Sequence, residues 1–162
     1  MIKLLRIDER LIHGQVANQW ARQLAVDAIV VANDRAATND LVKTSLKMAA
    51  PQGIKVVIKK VEDAISQLND PRAAKLSIFV VVDNPEDCLK IVENVKDIPY
   101  VNVGNFGRVG YEKAHRKEFS SSLYANEQEV ETFKKIMATG VECEVRMLTT
   151  DSKVLLSSLI KQ

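Results

Sequence analysis

The 162-residue chain is predicted to fold as a single α/β domain, residues 1–162, with an open, mostly parallel central sheet and helices on both faces. Three observations predict this. Short apolar runs alternate along the whole chain with longer segments of helical periodicity, the order that builds a parallel sheet with crossover helices. The most apolar runs, Ala28–Ala32 (AIVVA) and Ile78–Val82 (IFVVV), are continuous and rich in β-branched residues, as strands covered on both faces are. Helix start and stop residues punctuate the segments between them.

Taken in order, residues 2–7 are a short apolar run interrupted by Lys3 and Arg6, too brief for a helix. From Gly14 the spacing of Val16, Trp20 and Leu24 marks one buried helical face. Strand 28–32 is followed by a helix over 41–50, stopped by Pro51 and Gly53, then by a strand at 54–58 and a helix at 61–68. After strand 78–82, Asn84-Pro85 with Glu86 and Asp87 starts a helix that runs to about residue 95: proline suits the first turn and carboxylates suit the positive dipole end. A strand at 100–103 leads into a glycine-containing loop, 104–110, and residues 119–124 read as a short strand. Asn126 caps a helix that runs to Ala138 and is stopped by Gly140, residues 141–148 alternate as a strand, and 152–160 close the chain as a helix.

The composition excludes several function classes. Lys plus Arg is 23 against 21 Asp plus Glu, a net charge of +2, which does not supply the basic stripe of a general nucleic-acid binder. Aromatic residues are 5%, too few for a base-stacking platform. Cys88 and Cys143 stand far apart with no metal-ligand spacing, so neither zinc nor a disulfide framework is expected, and both read as packing residues. The charged start lacks a signal-peptide core, and no window approaches a membrane span, so the expected compartment is the reducing cytosol.

Ligands of open α/β sheets bind beyond the carboxyl ends of the strands, which singles out the loops 8–15, 33–39, 83–87 and 104–110. The first is dense in chemistry: Arg6-Ile7-Asp8-Glu9-Arg10-Leu11-Ile12-His13-Gly14-Gln15-Val16. His13 stands immediately before a helix, where outward-pointing amides and the helix dipole favour an anion and disfavour an imidazolium. The free ring is thus expected to be neutral and nucleophilic, and its phosphorylated form to be stabilised by the same amides. Arg10, three residues earlier, can hold phosphate oxygens in a bidentate fork. Asp8 can orient Arg10 or accept an imidazole N–H, and Gly14 can let the backbone approach a phosphate. The competing reading is structural: a capping histidine, and an Arg–Asp pair that only ties a loop down.

The stretch RIDERLIHGQV closely resembles the phosphorylation motif R-[IV]-D-x-R-[LI]-[IV]-H-G-Q-V of the IIB subunits in the mannose/fructose/sorbose family of the bacterial phosphoenolpyruvate-dependent sugar phosphotransferase system. The helix Trp at position 20, the IVVANDRAA stretch, Asn84-Pro85, VNVGNFGR and the late helix near Glu127 follow in family order, so the resemblance covers essentially the whole chain. It implies that His13 accepts a phosphoryl group on Nδ1 from a phosphohistidine of the IIA subunit. His13 then passes the group to a sugar translocated by the IIC and IID membrane subunits. Asp8, Arg10, Gly14 and Gln15 match the motif and are implied as site residues. No cofactor or metal is implied. The protein would be cytoplasmic and peripherally associated with its membrane partners, and its balanced charge permits a homo-oligomer.

Further candidates share the same sheet edge. Arg108 or the amides of the 104–110 loop, Gly104 in particular, could help form a phosphate pocket, with turn-forming glycine as the default reading. Asn33, Asp34 and Asp83 are weaker candidates. His115, in the basic run Lys113-Ala114-His115-Arg116-Lys117, reads as solvated, or as part of a patch that meets an acidic partner. Leu11 and Ile12, if they point outward, are expected to form an apolar docking rim. Two other functions compete. A histidine phosphatase would need Arg directly before the histidine, where Ile12 stands, and a non-enzymatic interaction module would use the loop only as structure.

Overall fold

The computed structural model describes residues 1–109 and 114–161. Its main sheet has seven strands in the order β3-β2-β4-β1-β5-β8-β9, formed by β1 (Ile2–Asp8), β2 (Ala28–Ala32), β3 (Lys55–Lys59), β4 (Ile78–Val82), β5 (Tyr100–Asn105), β8 (Glu142–Val145) and β9 (Val154–Leu155). Every pairing is parallel except the last, β8 with β9. The helices are α1 (Gly14–Leu24), α2 (Asp34–Ala37), α3 (Asp40–Ala49), α4 (Val61–Leu68), α5 (Pro85–Asn94), α6 (Glu127–Ala138) and α7 (Leu156–Leu159).

Because successive strand residues point to opposite faces, the continuous apolar runs divide into two cores. Leu5, Ile7, Val80, Val82, Val101 and Val103 pack toward α4, α5, α6 and α7. Leu4, Ile29, Val31, Phe79 and Val81 pack toward α1 and α3, whose Trp20 and Leu46 fill that layer. The expected sheet with helices on both faces is observed. β1 lies near its centre, between β4 and β5, and its outgoing connection crosses one face toward β2 while that of β5 leads the other way toward β8. A crevice opens at the carboxyl ends of two neighbouring strands whose connections diverge in this way.

Four local readings change. The loop 33–39 contains α2, capped by the Asn33 side chain, which accepts from Ala36 N–H. Residues 119–124 are part of a separate hairpin, β6 (Lys117–Ser120) and β7 (Leu123–Ala125), bent where Ser122 N–H reaches Ser120 Oγ. The strand expected over 141–148 stops at Val145, since the Arg146 guanidinium folds back onto the carbonyls of Thr149 and Asp151. The closing segment begins as β9 on the sheet edge, and only α7 is helical: its apolar spacing suited either state, and the free edge of β8 decided between them.

Candidate functional site

The β1–α1 loop is shaped by its backbone first. Leu11 N–H donates to Asp8 O at 2.8 Å, and Leu11 adopts a left-handed φ of 60°, a conformation that costs a β-carbon residue about 1–2 kcal/mol. Burial offsets that cost: Leu11 and Ile12 turn inward to the core that holds Trp20. The expectation that these two form an outward docking rim is therefore corrected, because the same turn that leaves Arg10 and His13 exposed sends them into the interior.

Asp8 is buried at the end of β1, and its two oxygens do different work. Oδ1 accepts from the backbone N–H of Arg10 at 3.0 Å, and Oδ2 accepts from Arg6 Nη2 at 3.0 Å. Asp8 thus fixes the backbone of Arg10, and both its oxygens are taken by groups other than the Arg10 guanidinium and the His13 ring. Arg6 in turn donates to Asn102 Oδ1 at 2.7 Å, and Asn102 Nδ2 donates to Glu144 Oε2 at 2.8 Å. Arg6, Asn102 and Glu144 stand in register on β1, β5 and β8, so they form a buried polar row across three strands on the α1 face. Burial pulls the Arg6 guanidinium below its ordinary value, while Asp8 and Glu144 work in the opposite direction and keep it charged. Two cations lie near the Trp20 ring, with Arg6 Cζ 5.3 Å and Arg146 Cζ 5.5 Å from its centre.

His13 occupies the N-cap position of α1 with an extended backbone and makes no side-chain cap bond, so its ring is left free of the helix end. The first turn of α1 carries no acidic residue, unlike those of α3, α4, α5 and α6, and its positive end faces outward uncompensated. Arg10 Nη1 lies 2.9 Å from His13 Nε2. A guanidinium has only N–H groups to give, so Nε2 accepts, and in the neutral ring the proton sits on Nδ1. Gly14 has a φ of +44°, and no atom stands within 4 Å of where a β-carbon would be. Glycine takes this helix entry angle without the strain a β-carbon residue would carry. Gln15 is exposed beside it.

The loop after β5 lies against this one. Asp8 pairs with Asn105, and Glu9 N–H donates to Asn105 O at 2.8 Å. The Glu9 carboxylate accepts from Gly107 N–H at 3.2 Å and Arg108 N–H at 3.1 Å, so both amides are already engaged. Gly104 lies inside β5, not in the loop, and a β-carbon there would overlap the Arg6 guanidinium. The structure thus gives Gly104 the task of making room for Arg6. Arg108 is exposed on the loop. Gly110 and Lys113 lie outside the described residues.

The remaining candidates have structural partners. Asn33 caps α2, Asp34 Oδ1 accepts from Val61 N–H at 2.9 Å at the start of α4, and Asp83 accepts from Asn84 Nδ2 at 2.7 Å. His115 is exposed, but Arg116 beside it is not part of a solvated patch: it pairs with Glu129 at 2.8 Å and lies 5.1 Å over the Phe106 ring. Cys88 and Cys143 are buried and free, as packing residues are. Sequence reasoning missed Asn102, Glu144 and the engagement of Glu9. Asn102 had a visible signal, a lone polar residue between two valines (VNV), and Glu144 a weaker one, a carboxylate between the apolar Cys143 and Val145, whereas the partner of Glu9 is nearly a hundred residues away.

Comparison with known proteins agrees with this layout. Residues 2–162 match the family model for the sorbose-subfamily IIB component of the phosphotransferase system. The chain is 40% identical over 163 residues to a probable phosphotransferase enzyme IIB component of Streptococcus pyogenes serotype M6, covering 99% of both chains. It is 36% identical to the mannose-specific EIIAB component of Escherichia coli K12, covering all of this chain and 49% of that one. Among solved structures, the IIB domain of the sorbose permease from Klebsiella pneumoniae superposes with a TM-score of 0.91 at 28% identity, covering 99% of this chain and 96% of that one. Fold, motif and full-length similarity coincide, and the chain belongs to the sorbose subfamily of IIB components, the phosphotransferase subunits of the sugar phosphotransferase system.

Proposed function

We propose that His13 is the phosphoryl carrier of this subunit, charged by a phosphohistidine of a IIA domain and discharged to a sugar held by IIC and IID membrane subunits. The observation that carries the reading is the 2.9 Å contact of Arg10 with the exposed His13 ring at the uncompensated mouth of α1. Support for the donor comes from the E. coli relative, whose name joins EIIA to EIIB and of which this chain spans 49%.

In the resting protein Arg10 holds Nε2, and the ring proton sits on Nδ1. For Nδ1 to attack, Arg10 leaves Nε2 for the oxygens of the incoming phosphoryl group, and the ring proton moves through solvent to Nε2. Nδ1 then forms the new P–N bond while the P–N bond of the donor breaks and the donor imidazole keeps the electron pair. Arg10 and the first amides of α1 stabilise the charge spread over the phosphoryl oxygens. Discharge reverses the bonding: a sugar hydroxyl oxygen forms the P–O bond, the P–N bond breaks, and the hydroxyl proton is released. The subunit works at the cytoplasmic face, beside its membrane partners.

The test is incubation with phosphoenolpyruvate, enzyme I, the phosphocarrier protein and a cognate IIA. The expected product is an acid-labile, alkali-stable phosphate on His13, lost in His13→Ala and retained in His115→Ala. Rapid release of phosphate to water would point to a phosphatase instead, and absence of label to an interaction module.

A further inference from the structure

We propose that residues 106–109, directly after β5, form the surface on which the phosphohistidine-bearing partner docks, with Arg108 and Val109 as its contacts and Glu9 as the positioning residue that holds them beside His13. This rests on the carrier reading above and names the partner-facing part of the same site.

A donor domain that brings phosphorus within bonding distance of the His13 ring must also cover the surface next to it. Leu11 and Ile12 cannot supply that surface, because both are buried. Val109, 55% exposed, stands on the loop that is hydrogen-bonded directly to His13's own. Arg108 precedes it, exposed and cationic, and complements a partner surface that carries a phosphorylated, anionic ring.

The loop is held in place before any partner arrives. Glu9 fastens it at three points: its N–H to Asn105 O at 2.8 Å, and its two carboxylate oxygens to the amides of Gly107 and Arg108 at 3.2 and 3.1 Å. From the other side, Gly107 has a φ of +83° and sits so close to the Tyr124 carbonyl that no β-carbon would fit. Residues 106–108, held on both sides, have little conformational freedom left to lose on binding, which lowers the cost of association. Because Glu9 consumes the Gly107 and Arg108 amides, those two amides do not cradle the phosphoryl group, and Arg108 meets the partner through its side chain.

The experiment compares two donors for the intact protein: a phosphorylated cognate IIA, which must dock, and phosphoramidate, a small N–P donor that need not. Val109→Asp and Arg108→Glu are expected to raise KM for phosphorylated IIA about tenfold or more, with kcat within about twofold. Val109→Asp leaves labelling by phosphoramidate unchanged. Glu9→Gln and Glu9→Ala raise the same KM and speed hydrogen exchange at the Gly107 and Arg108 amides. An unchanged KM in Arg108→Glu and Val109→Asp overturns the docking assignment, and so does a parallel loss of phosphoramidate labelling in Val109→Asp. Unchanged amide exchange, or an unchanged KM, in both Glu9 variants overturns the positioning role. If the unaltered protein takes label from neither donor, the carrier reading itself has failed.

Discussion

Replacing Gly104 by alanine adds one methyl group at the centre of the buried polar row. The new β-carbon would overlap the guanidinium carbon and both terminal nitrogens of Arg6. A surface arginine would swing aside. Arg6 is 2% exposed and bound to Asp8 at 3.0 Å and Asn102 at 2.7 Å, so moving it strips Asp8 and, through Asn102, Glu144 of their compensation. Breaking a buried charge pair costs about 3–5 kcal/mol, a large share of the roughly 5–15 kcal/mol that holds such a domain together. At about 2–4 °C per kcal/mol for a chain of this size, Tm should fall by on the order of 10 °C. The assay is urea unfolding with the slope monitored, repeated in an Arg6→Met background. There the methyl group has lost its obstacle, so Gly104→Ala should add little further loss. A loss below about 1 kcal/mol in the single variant, or strict additivity within about 0.5 kcal/mol in the pair, refutes the reasoning. Slowed transfer with unchanged stability would instead return Gly104 to the phosphate pocket.

Arg10→Lys should slow transfer from IIA on the order of tenfold to a hundredfold in a rapid-quench assay, because a point charge replaces a planar fork aimed at the ring. Nitrogen-15 spectra should show the resting His13 ring protonated on Nδ1 in the unaltered protein, and a shift toward the Nε2–H tautomer in Arg10→Met, where the donor to Nε2 is gone. Gly107→Ala should destabilise the loop after β5, since a β-carbon there meets the Tyr124 carbonyl at a backbone angle few side chains adopt; hydrogen exchange at Arg108 and Tyr124 reads the change. Burial pushes the Cys88 thiol well up and the Cys143 thiol up to about 12, with Glu142 adding to the latter. At pH 8 only on the order of one Cys143 in ten thousand is thiolate, so thiol reagents should label the folded protein only as fast as it opens. The sign for stability follows: above the ordinary thiol value the unfolded chain sheds protons that the folded one keeps. Stability should therefore fall with rising pH by up to about 1.4 kcal/mol per unit per thiol, less steeply in Cys143→Ala.

The sequence by itself determined the main alternation of strands and helices, the buried strands and the loop dense in chemistry, but not α2, the β6–β7 hairpin or β9. These are local properties: a run such as IFVVV can satisfy its apolar side chains only by being covered on both faces, and RIDERLIHGQV holds its arginine, carboxylates and histidine within one strand-to-helix turn. Tertiary structure alone decided which of those residues face one another. The Asp8 carboxylate could have taken the ring, the guanidinium or a backbone amide, and it takes the amide because Arg6, fixed by Asn102 and Glu144 from two other strands, claims its second oxygen. Leu11 and Ile12 turned inward because a left-handed residue reversed the loop there, and no spacing rule reports the sign of φ. Gly104 and Glu9 acquired their tasks from atoms roughly a hundred positions away in the chain. Periodicity reports burial along one segment, whereas a polar group's partner depends on which strands the fold sets side by side.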